Sequence, residues 1–342
     1  MGGNALKQFG IETDRLPKAE YDVIVSEVVS IIKDTLDHGG YIRKVKPILA
    51  YKNKQDFGDA DILMDSEELS PCWIELLKIA FKSKAVYNNG DVCSFEYKNF
   101  QIDVIKSPIH EYDAAYSYFN FNDCGNLVGR LCHKFGMKLG HDGLTYVYRE
   151  GDQVIGKIVI TSEFHEVCWF LGLDYKVWQN GFDELEDMFK WVASSKYFSP
   201  DIYLFDNLNH TQRVRDRKRK TYNSFLTWCE AWKGEKYNFN KDKTTYLPML
   251  FEFFGPANGW HEGFEDQYMT LYMQHLKKKA MFEKYNGVMV REITGLDGKE
   301  LGEFIKHLKT VMTDVIIVTQ SKDRIAEMIT NEWKNYVSHP GP

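Results

Sequence analysis

Apolar side chains recur every three or four residues over residues 18–37, and this spacing predicts an amphipathic helix. The pattern ends just before Gly39-Gly40, a pair that favours the end of a helix. Shorter apolar runs predict strands, and the elements expected next are strands at 45–50 and 60–64, a helix at 71–84 and strands at 92–97 and 100–105. One helix followed by several strands in this order predicts a mixed sheet flanked by helices.

The rest of the chain has a mainly helical pattern. Residues 109–140 are mostly of helical type, and residues 143–161 predict a β-hairpin that turns at Glu150-Gly151-Asp152. Amphipathic helices are predicted beyond residue 163, in the segments 182–195, 209–232, 262–284, 298–311 and 322–336. The predicted fold is therefore α+β, with the mixed sheet in residues 1–108, an extension in 109–160 and a mainly helical region in 161–342.

The composition is that of a folded globular protein, with 44% hydrophobic and 27% charged residues among 342. A net charge of −6 means that any nucleic-acid site must be a local basic patch. The six cysteines include no C-x-x-C pair and are expected to be reduced thiols. The chain has neither an apolar run near the ~20 residues of a membrane helix nor a signal-peptide pattern. We therefore expect a cytoplasmic protein without a membrane partner.

Three aspartates carry the candidate chemistry. Residues two apart in a strand point to the same face, so Asp59 and Asp61 are expected to project together, after a tight turn that Gly58 permits. Asp103 interrupts a later apolar strand, where an ionised carboxylate needs a partner. If the two strands are neighbours, the carboxylates converge on a two-metal site for Mg²⁺, with Mn²⁺ as an alternative ion.

The segment Gly58-Asp59-Ala60-Asp61-Ile62-Leu63 resembles the palm signature of DNA polymerase β-type nucleotidyltransferases. Gln101-Ile102-Asp103-Val104 similarly resembles the strand that carries their third carboxylate. The resemblance covers roughly residues 40–150 and is most specific at the three acids. It implies a nucleotidyltransferase palm in residues 1–108 and a thumb-like extension in residues 109–160.

The segment from Tyr118 to Arg130 is similar in spacing to the thumb motif of family X polymerases. That resemblance implies that Tyr118 and Phe119 line the pocket for the nucleotide sugar, while Asn126 and Arg130 reach the base edge or its partner strand. The Thr-Gly-Ser that usually follows the Tyr-Phe pair is replaced by Asn120-Phe121-Asn122. An ordinary helix with a buried aromatic pair is the alternative interpretation.

The chain departs from the family where the triphosphate should be held. The family places Gly-Gly or Gly-Ser shortly before the acids, whereas this chain has Leu49-Ala50-Tyr51. Tyr51 adds bulk to the nucleotide site unless its ring turns into the core. We expect Lys52 and Lys54 to bind the phosphates as point charges. Backbone amides of Gly2-Gly3 are a second candidate donor, although a disordered terminus is the alternative.

A basic cluster lies in the helical region. It contains only one acid, Asp216, so internal ion pairs are not expected to neutralise it. Contact with a phosphate backbone is favoured over a solvated helix face. The predicted nucleic-acid-binding residues are Arg213, Arg215, Arg217, Lys218, Arg219 and Lys220.

A second, looser resemblance concerns the end of the chain. The segment 290–302 has a turn leading into a helix, which loosely resembles a glycine-containing segment of CCA-adding enzymes and bacterial poly(A) polymerases. Helix-start amides there could face a phosphate, but an ordinary capped helix explains the pattern equally well.

The expected activity is nucleotide addition to a polynucleotide 3′ end, with an NTP or dNTP as donor and release of pyrophosphate. An RNA or tRNA 3′ end is slightly favoured over DNA. A family X-like DNA repair polymerase is the alternative, and a non-catalytic nucleic-acid-binding or regulatory module that retains the fold is a further one. The oligomeric state does not follow from the sequence.

Overall fold

The computed structural model describes residues 3–37, 41, 43–255 and 263–338. By internal contacts the chain divides into two compact units, residues 1–264 and residues 265–342. Both predicted boundaries, at residues 108 and 160, fall inside the first unit. Gly39-Gly40 and Gly2, which entered the predictions above, lie outside the described residues.

The first part of the chain builds a mixed sheet. Its strands are β1 (Leu16–Pro17), β2 (Val45–Pro47), β3 (Asp56–Phe57), β4 (Asp59–Asp65), β5 (Val86–Asn89), β6 (Val92–Tyr97) and β7 (Phe100–Ser107). Five of them form one sheet in the order β2-β4-β7-β6-β5, and β1 pairs separately with β3. The strands β4 and β7 are parallel, while β2, β5 and β6 each run antiparallel to their neighbours. The predicted mixed sheet is therefore confirmed.

Two helices cover one face of this sheet: α1 (Lys18–Leu36) and α2 (Trp73–Phe81). Alternation along β4 turns Ala60, Ile62 and Met64 into the core that these helices complete. Next along the chain are α3 (Tyr112–Phe119) and α4 (Cys124–Lys134). Tyr112 and Ala115 of α3 pack with Leu63 and Ile105 on the other face. That covering leaves the start of β4 for the polar residues described below.

A three-stranded antiparallel sheet follows α4, in the order β10-β9-β8. Its strands are β8 (Met137–Gly140), β9 (Gly143–Glu150) and β10 (Gln153–Thr161). The predicted hairpin is confirmed, with Gly151 in its turn at a φ of 56°. Residues 109–140 are mostly helical, as predicted, but their last four residues form β8, where apolar and polar residues alternate over only four positions.

Helices fill the remainder of the first unit. They are α5 (Phe164–Leu171), α6 (Tyr175–Asn180), α7 (Leu185–Ala193), α8 (His210–Asp216), α9 (Lys220–Ala231) and α10 (Leu247–Phe253). The single helix predicted for 209–232 is two helices, because the chain leaves helical geometry around Arg219, whose φ and ψ are −91° and 113°.

The second unit is helical throughout its described residues 265–338. Its helices are α11 (Phe264–Lys284), α12 (Gly287–Thr294), α13 (Gly298–Val311), α14 (Asp314–Thr319) and α15 (Lys322–Ser338). Val290, Phe304, Leu308, Ile325 and Ile329 form its buried core. The second half of the chain is therefore mainly helical, as predicted. Within the described residues no helix is both long and apolar enough to cross a membrane.

Candidate active site

The three aspartates lie on the two parallel strands at the centre of the five-stranded sheet. Asp61 on β4 is directly opposite Asp103 on β7, and Asp59 is opposite Gln101. Since Ala60 and Ile62 point into the core under α1 and α2, the acids point to the other face. All three are only partly exposed. The structure thus brings together the carboxylates that the sequence singled out, on one face of adjacent strands.

The electrostatics of these acids reflect their crowding. The pKa of Asp61 is raised to about 8, chiefly by burial and then by the neighbouring charges of Asp59 and Asp103. The pKa of Asp103 is raised to about 6 by burial and by the charge of Asp59, while hydrogen bonds from Ser94 and Gln101 act in the opposite direction. Hence the site holds a proton near neutral pH when nothing else compensates its negative charge.

The donor set consists of carboxylate oxygens, which suits Mg²⁺ or Mn²⁺. In their present orientations, however, no three Asp, Glu, His or Cys side chains of the described residues are grouped to hold one ion. Two of the acids are bound by protein donors instead. The Gly3 amide donates to Oδ2 of Asp59 at 3.1 Å, and Nε2 of Gln101 donates to both carboxylate oxygens of Asp103 at 3.0 Å.

A fourth acid on the same face is already neutralised. Asp65, at the far end of β4, is fully buried, and its Oδ1 lies 3.1 Å from Nη1 of Arg43. The hydroxyl of Tyr41 donates to the same carboxylate at 2.8 Å, and the amide of Lys44 donates to its other oxygen. With an ion pair and further donors, Asp65 is a structural residue and leaves the candidate site to the other three acids.

The two lysines predicted to bind phosphate have different surroundings. Lys54 Nζ lies 4.4 Å from the centre of the Phe57 ring. Burial lowers the pKa of Lys54, while the charges of Asp59 and Asp61 act in the opposite direction, so its ammonium lies within electrostatic range of these acids. Lys52 Nζ is instead 2.7 Å from Oδ1 of Asp183, in an exposed ion pair. The geometry favours Lys54 over Lys52 as a phosphate ligand.

Leu49, Ala50 and Tyr51, which precede the acids in sequence, border a cavity of about 330 Å³. Tyr51 and Lys52 line it together with Tyr21 and Phe57, whose rings stack at a centroid distance of 3.7 Å. The ring of Tyr51 is half-buried, and burial raises the pKa of its hydroxyl. Gly58 is buried directly before the acids. Tyr51 therefore shapes the wall of this cavity.

The thumb-like segment is held by a network around Asp216. Asp216 is fully buried and accepts hydrogen bonds from Nη2 of Arg130 and, at 2.8 Å, from Nε of Arg215. Arg215 also donates to Oδ1 of Asn126 at 2.6 Å. The structure thus joins Asn126 and Arg130, predicted to touch the nucleotide, to Arg215 of the basic cluster. The rings of Tyr118 and Phe119, the last two residues of α3, meet edge to face at 5.5 Å.

This network borders a second cavity, of about 200 Å³. Its lining includes Tyr118, Asn126, Arg130, His133 and Arg215. Arg130 is 5% exposed, and its Nε has no hydrogen-bond partner among the described residues. A buried guanidinium nitrogen without an acceptor beside a basic cavity is suited to an anionic group.

The basic cluster is less free than its sequence suggests. The expectation that ion pairs leave it unneutralised is wrong for two members: Arg215 pairs with Asp216, and Arg219 pairs with Asp123. The remaining arginines also have contacts, since Arg213 Nη1 donates to a backbone carbonyl at 2.9 Å and Arg217 lies over the Phe205 ring. Lys218 and Lys220 are exposed at the break between α8 and α9.

Cations that were not predicted from the sequence surround His133 at the end of α4. The pKa of His133 is lowered to about 4, first by burial and then by the charges of Lys243, Arg130, Lys134 and Arg149. Burial likewise lowers the pKa of Lys243 to about 8, followed by the charges of Lys134 and Arg149. These cations are far apart in sequence, so no local charge run reveals them. A role for Gln101 was also not predicted, although Gln101 lies two residues from Asp103 in the same strand and its side chain is therefore expected on the same face.

No model of a known protein family matches the chain, and no curated protein matches it. The basis for a functional conclusion is therefore the placement of these side chains on the sheet.

Proposed function

We propose that the protein is a metal-dependent nucleotidyltransferase that adds nucleotides to the 3′ end of a polynucleotide and releases pyrophosphate. The observation that carries this proposal is the register of the two parallel strands, which places Asp61 opposite Asp103 and Asp59 two residues away on the same face. A mixed sheet with acids in these positions is consistent with a polymerase β-like palm. The helical second half is the expected partner for the polynucleotide.

The residues have distinct roles in this proposal. Asp59 and Asp61 would hold both metal ions, and Asp103 would help to hold the one at the attacking hydroxyl. The ions supply a lowered pKa for that hydroxyl and charge stabilisation at the phosphates. The ammonium of Lys54, which lies within electrostatic range of Asp59 and Asp61, would bind a phosphate oxygen of the incoming nucleotide.

The surface that would bind the polynucleotide combines the cavity at Arg130 with the cations around it. The charges of Lys134 and Arg149 act against that of Lys243, and a bound phosphate backbone would relieve this repulsion. An RNA or tRNA 3′ end is the preferred substrate. A family X-like repair polymerase gains no support, because Asn126 and Arg130 are engaged by Arg215 and Asp216.

Retention of the acids argues against a non-catalytic module. Three carboxylates on one face, one with a pKa near 8, cost folding stability unless a cation offsets their charge. A protein that only binds nucleic acid would gain from replacing at least one of them by a neutral residue.

The test is an extension assay on labelled tRNA, single-stranded RNA and gapped DNA, each with single NTPs or dNTPs and with Mg²⁺ or Mn²⁺. We expect longer products with at least one RNA substrate, and none from Asp61→Asn. A matched control is Asp91→Asn, which alters an aspartate that is 71% exposed outside the site. Absence of extension under every condition, or undiminished activity of Asp61→Asn, would refute the proposal.

A further inference from the structure

The first residues of the chain return to the candidate site. The Gly3 amide donates to Oδ2 of Asp59 at 3.1 Å, across 56 positions of sequence. The carbonyl of Gly3 accepts a hydrogen bond from Oγ1 of Thr13 at 2.9 Å. Leu6, in the 3₁₀ helix Ala5–Phe9, is 1% exposed and anchors this segment in the protein. Residues 3–9, which we call the leading segment, are thus docked beside the acids.

Gln101 connects the leading segment to a second acid. Its side chain is buried, Oε1 accepts the Ala5 amide at 2.9 Å, and Nε2 donates to both oxygens of Asp103 at 3.0 Å. Since one end of the amide faces a donor and the other a carboxylate, its orientation is determined by its partners. Gln101 also lies directly opposite Asp59 in the strand pairing.

The close approach of the leading segment requires glycine at position 3. A Cβ on Gly3 would lie 2.3 Å from the carbonyl oxygen of Gly58, which is backbone and has little room to move. Gly3 also has a φ of +82°, which side chains rarely adopt. Gly10 has a similar φ of +72° but nothing within 4 Å of its Cβ position. Position 3 therefore combines a strained backbone with a steric contact, and position 10 has the strain alone.

We propose that Gly3 and Gln101 are positioning residues, which orient Asp59 and Asp103 for the metal ions of the candidate site. This inference rests on the proposed function in so far as the acids bind metal. Each carboxylate oxygen has two acceptor positions, so a donated hydrogen bond leaves room for a metal ion. Hydrogen bonds that orient metal-binding side chains typically contribute 10–100-fold to metal affinity.

Metal binding by the full-length protein tests this proposal without any assay of activity. Mn²⁺ is titrated into the wild type and into Gln101→Met, a variant of similar size that cannot donate to Asp103. We expect Gln101→Met to bind Mn²⁺ about 10–100-fold more weakly, and a thermal melt shows whether it has folded. An unchanged affinity in the folded variant would refute a positioning role, and so would tighter binding, because the hydrogen bond would then compete with the ion.

The pair Gly3→Ala and Gly10→Ala tests the leading segment separately. We expect Gly3→Ala to weaken Mn²⁺ binding and to expose Lys7 to trypsin, whereas Gly10→Ala, which has the same backbone strain, should change neither. Equal effects of the two substitutions would mean that the contact with Gly58 does not matter and would overturn this part of the proposal.

Kinetics distinguish the failure of this inference from the failure of the proposed function. If the wild type extends RNA, Gln101→Met should lower kcat more than it raises KM for the nucleotide. Wild-type extension with an unaffected Gln101→Met would refute the positioning role alone. Weakened Mn²⁺ binding by Gln101→Met in a protein that extends no polynucleotide would refute the proposed reaction but leave the positioning role standing.

Discussion

Replacement of Asp61 by asparagine should stabilise the metal-free protein at high pH. Asp61 is flanked by Asp59 and Asp103, and its pKa is raised from 3.8 to about 8, chiefly by burial. A carboxyl with a raised pKa favours the folded state below pH 4, where it is protonated in both states. That contribution is lost as the pH rises from about 4 to 8, because over this range the unfolded state releases the proton while the folded state retains it.

The size of the effect follows from the shift. One pKa unit corresponds to about 1.4 kcal/mol, and solvent screening of a partly exposed group reduces the total. A gain on the order of 2–4 kcal/mol for Asp61→Asn at pH 9 is therefore expected. At pH 5, which is close to the ordinary carboxyl pKa of the unfolded state, little of this contribution has been lost, so most of the difference between the two proteins should disappear.

The assay is urea denaturation of both proteins in EDTA at pH 5, 7 and 9, and again at pH 7 with Mg²⁺. The free energy of unfolding of the wild type should fall with pH more steeply than that of Asp61→Asn. Mg²⁺ should stabilise the wild type and have little effect on the variant. Parallel pH dependences, or a variant less stable than wild type at pH 9, would contradict the placement of Asp61 among like charges.

Two further predictions concern the substrates. Lys54→Ala should raise KM for the nucleotide by about tenfold, equivalent to 1.4 kcal/mol, whereas Lys52→Ala should have little effect because Lys52 is paired with Asp183. Equal effects of the two substitutions in steady-state kinetics would show that the ion pair does not restrain Lys52. Exchange of Lys218 and Lys220 for alanine should weaken RNA binding and lower the slope of log K against log salt by about 0.7 for each lost contact, and an unchanged slope in binding titrations would make them ordinary solvated residues.

The sequence predicted the elements whose patterns are local. The helix over residues 18–36 and the hairpin at 143–161 follow from apolar periodicity and a turn glycine, and both are present. The aspartates were found in the same way, since an acid two residues from another in a strand shares its face. The parallel pairing of their strands depends on tertiary structure. From the sequence, convergence of the acids could be predicted only on the condition that the two strands are neighbours.

The predictions that were wrong concern contacts between distant parts of the chain. The helix predicted over 209–232 breaks just after Asp216, whose buried carboxylate pairs with Arg130 on α4. No local feature of residues 216–219 predicts this ion pair, because the partner of Asp216 lies 86 positions earlier in the sequence. Asp216 also pairs with Arg215 of the basic cluster, so part of this cluster has a structural role. A run of charged residues in a sequence therefore overestimates the number of cations that are available to a ligand.

The contact of Gly3 with the site is likewise revealed only by tertiary structure. Gly58 stands directly before Asp59, and Gly3 approaches it so closely that a Cβ on Gly3 would lie 2.3 Å from the carbonyl oxygen of Gly58. The amide of Gly3 donates to Oδ2 of Asp59. Substitution of Gly3 should therefore act on the candidate site although Gly3 lies 56 residues from Asp59 in sequence.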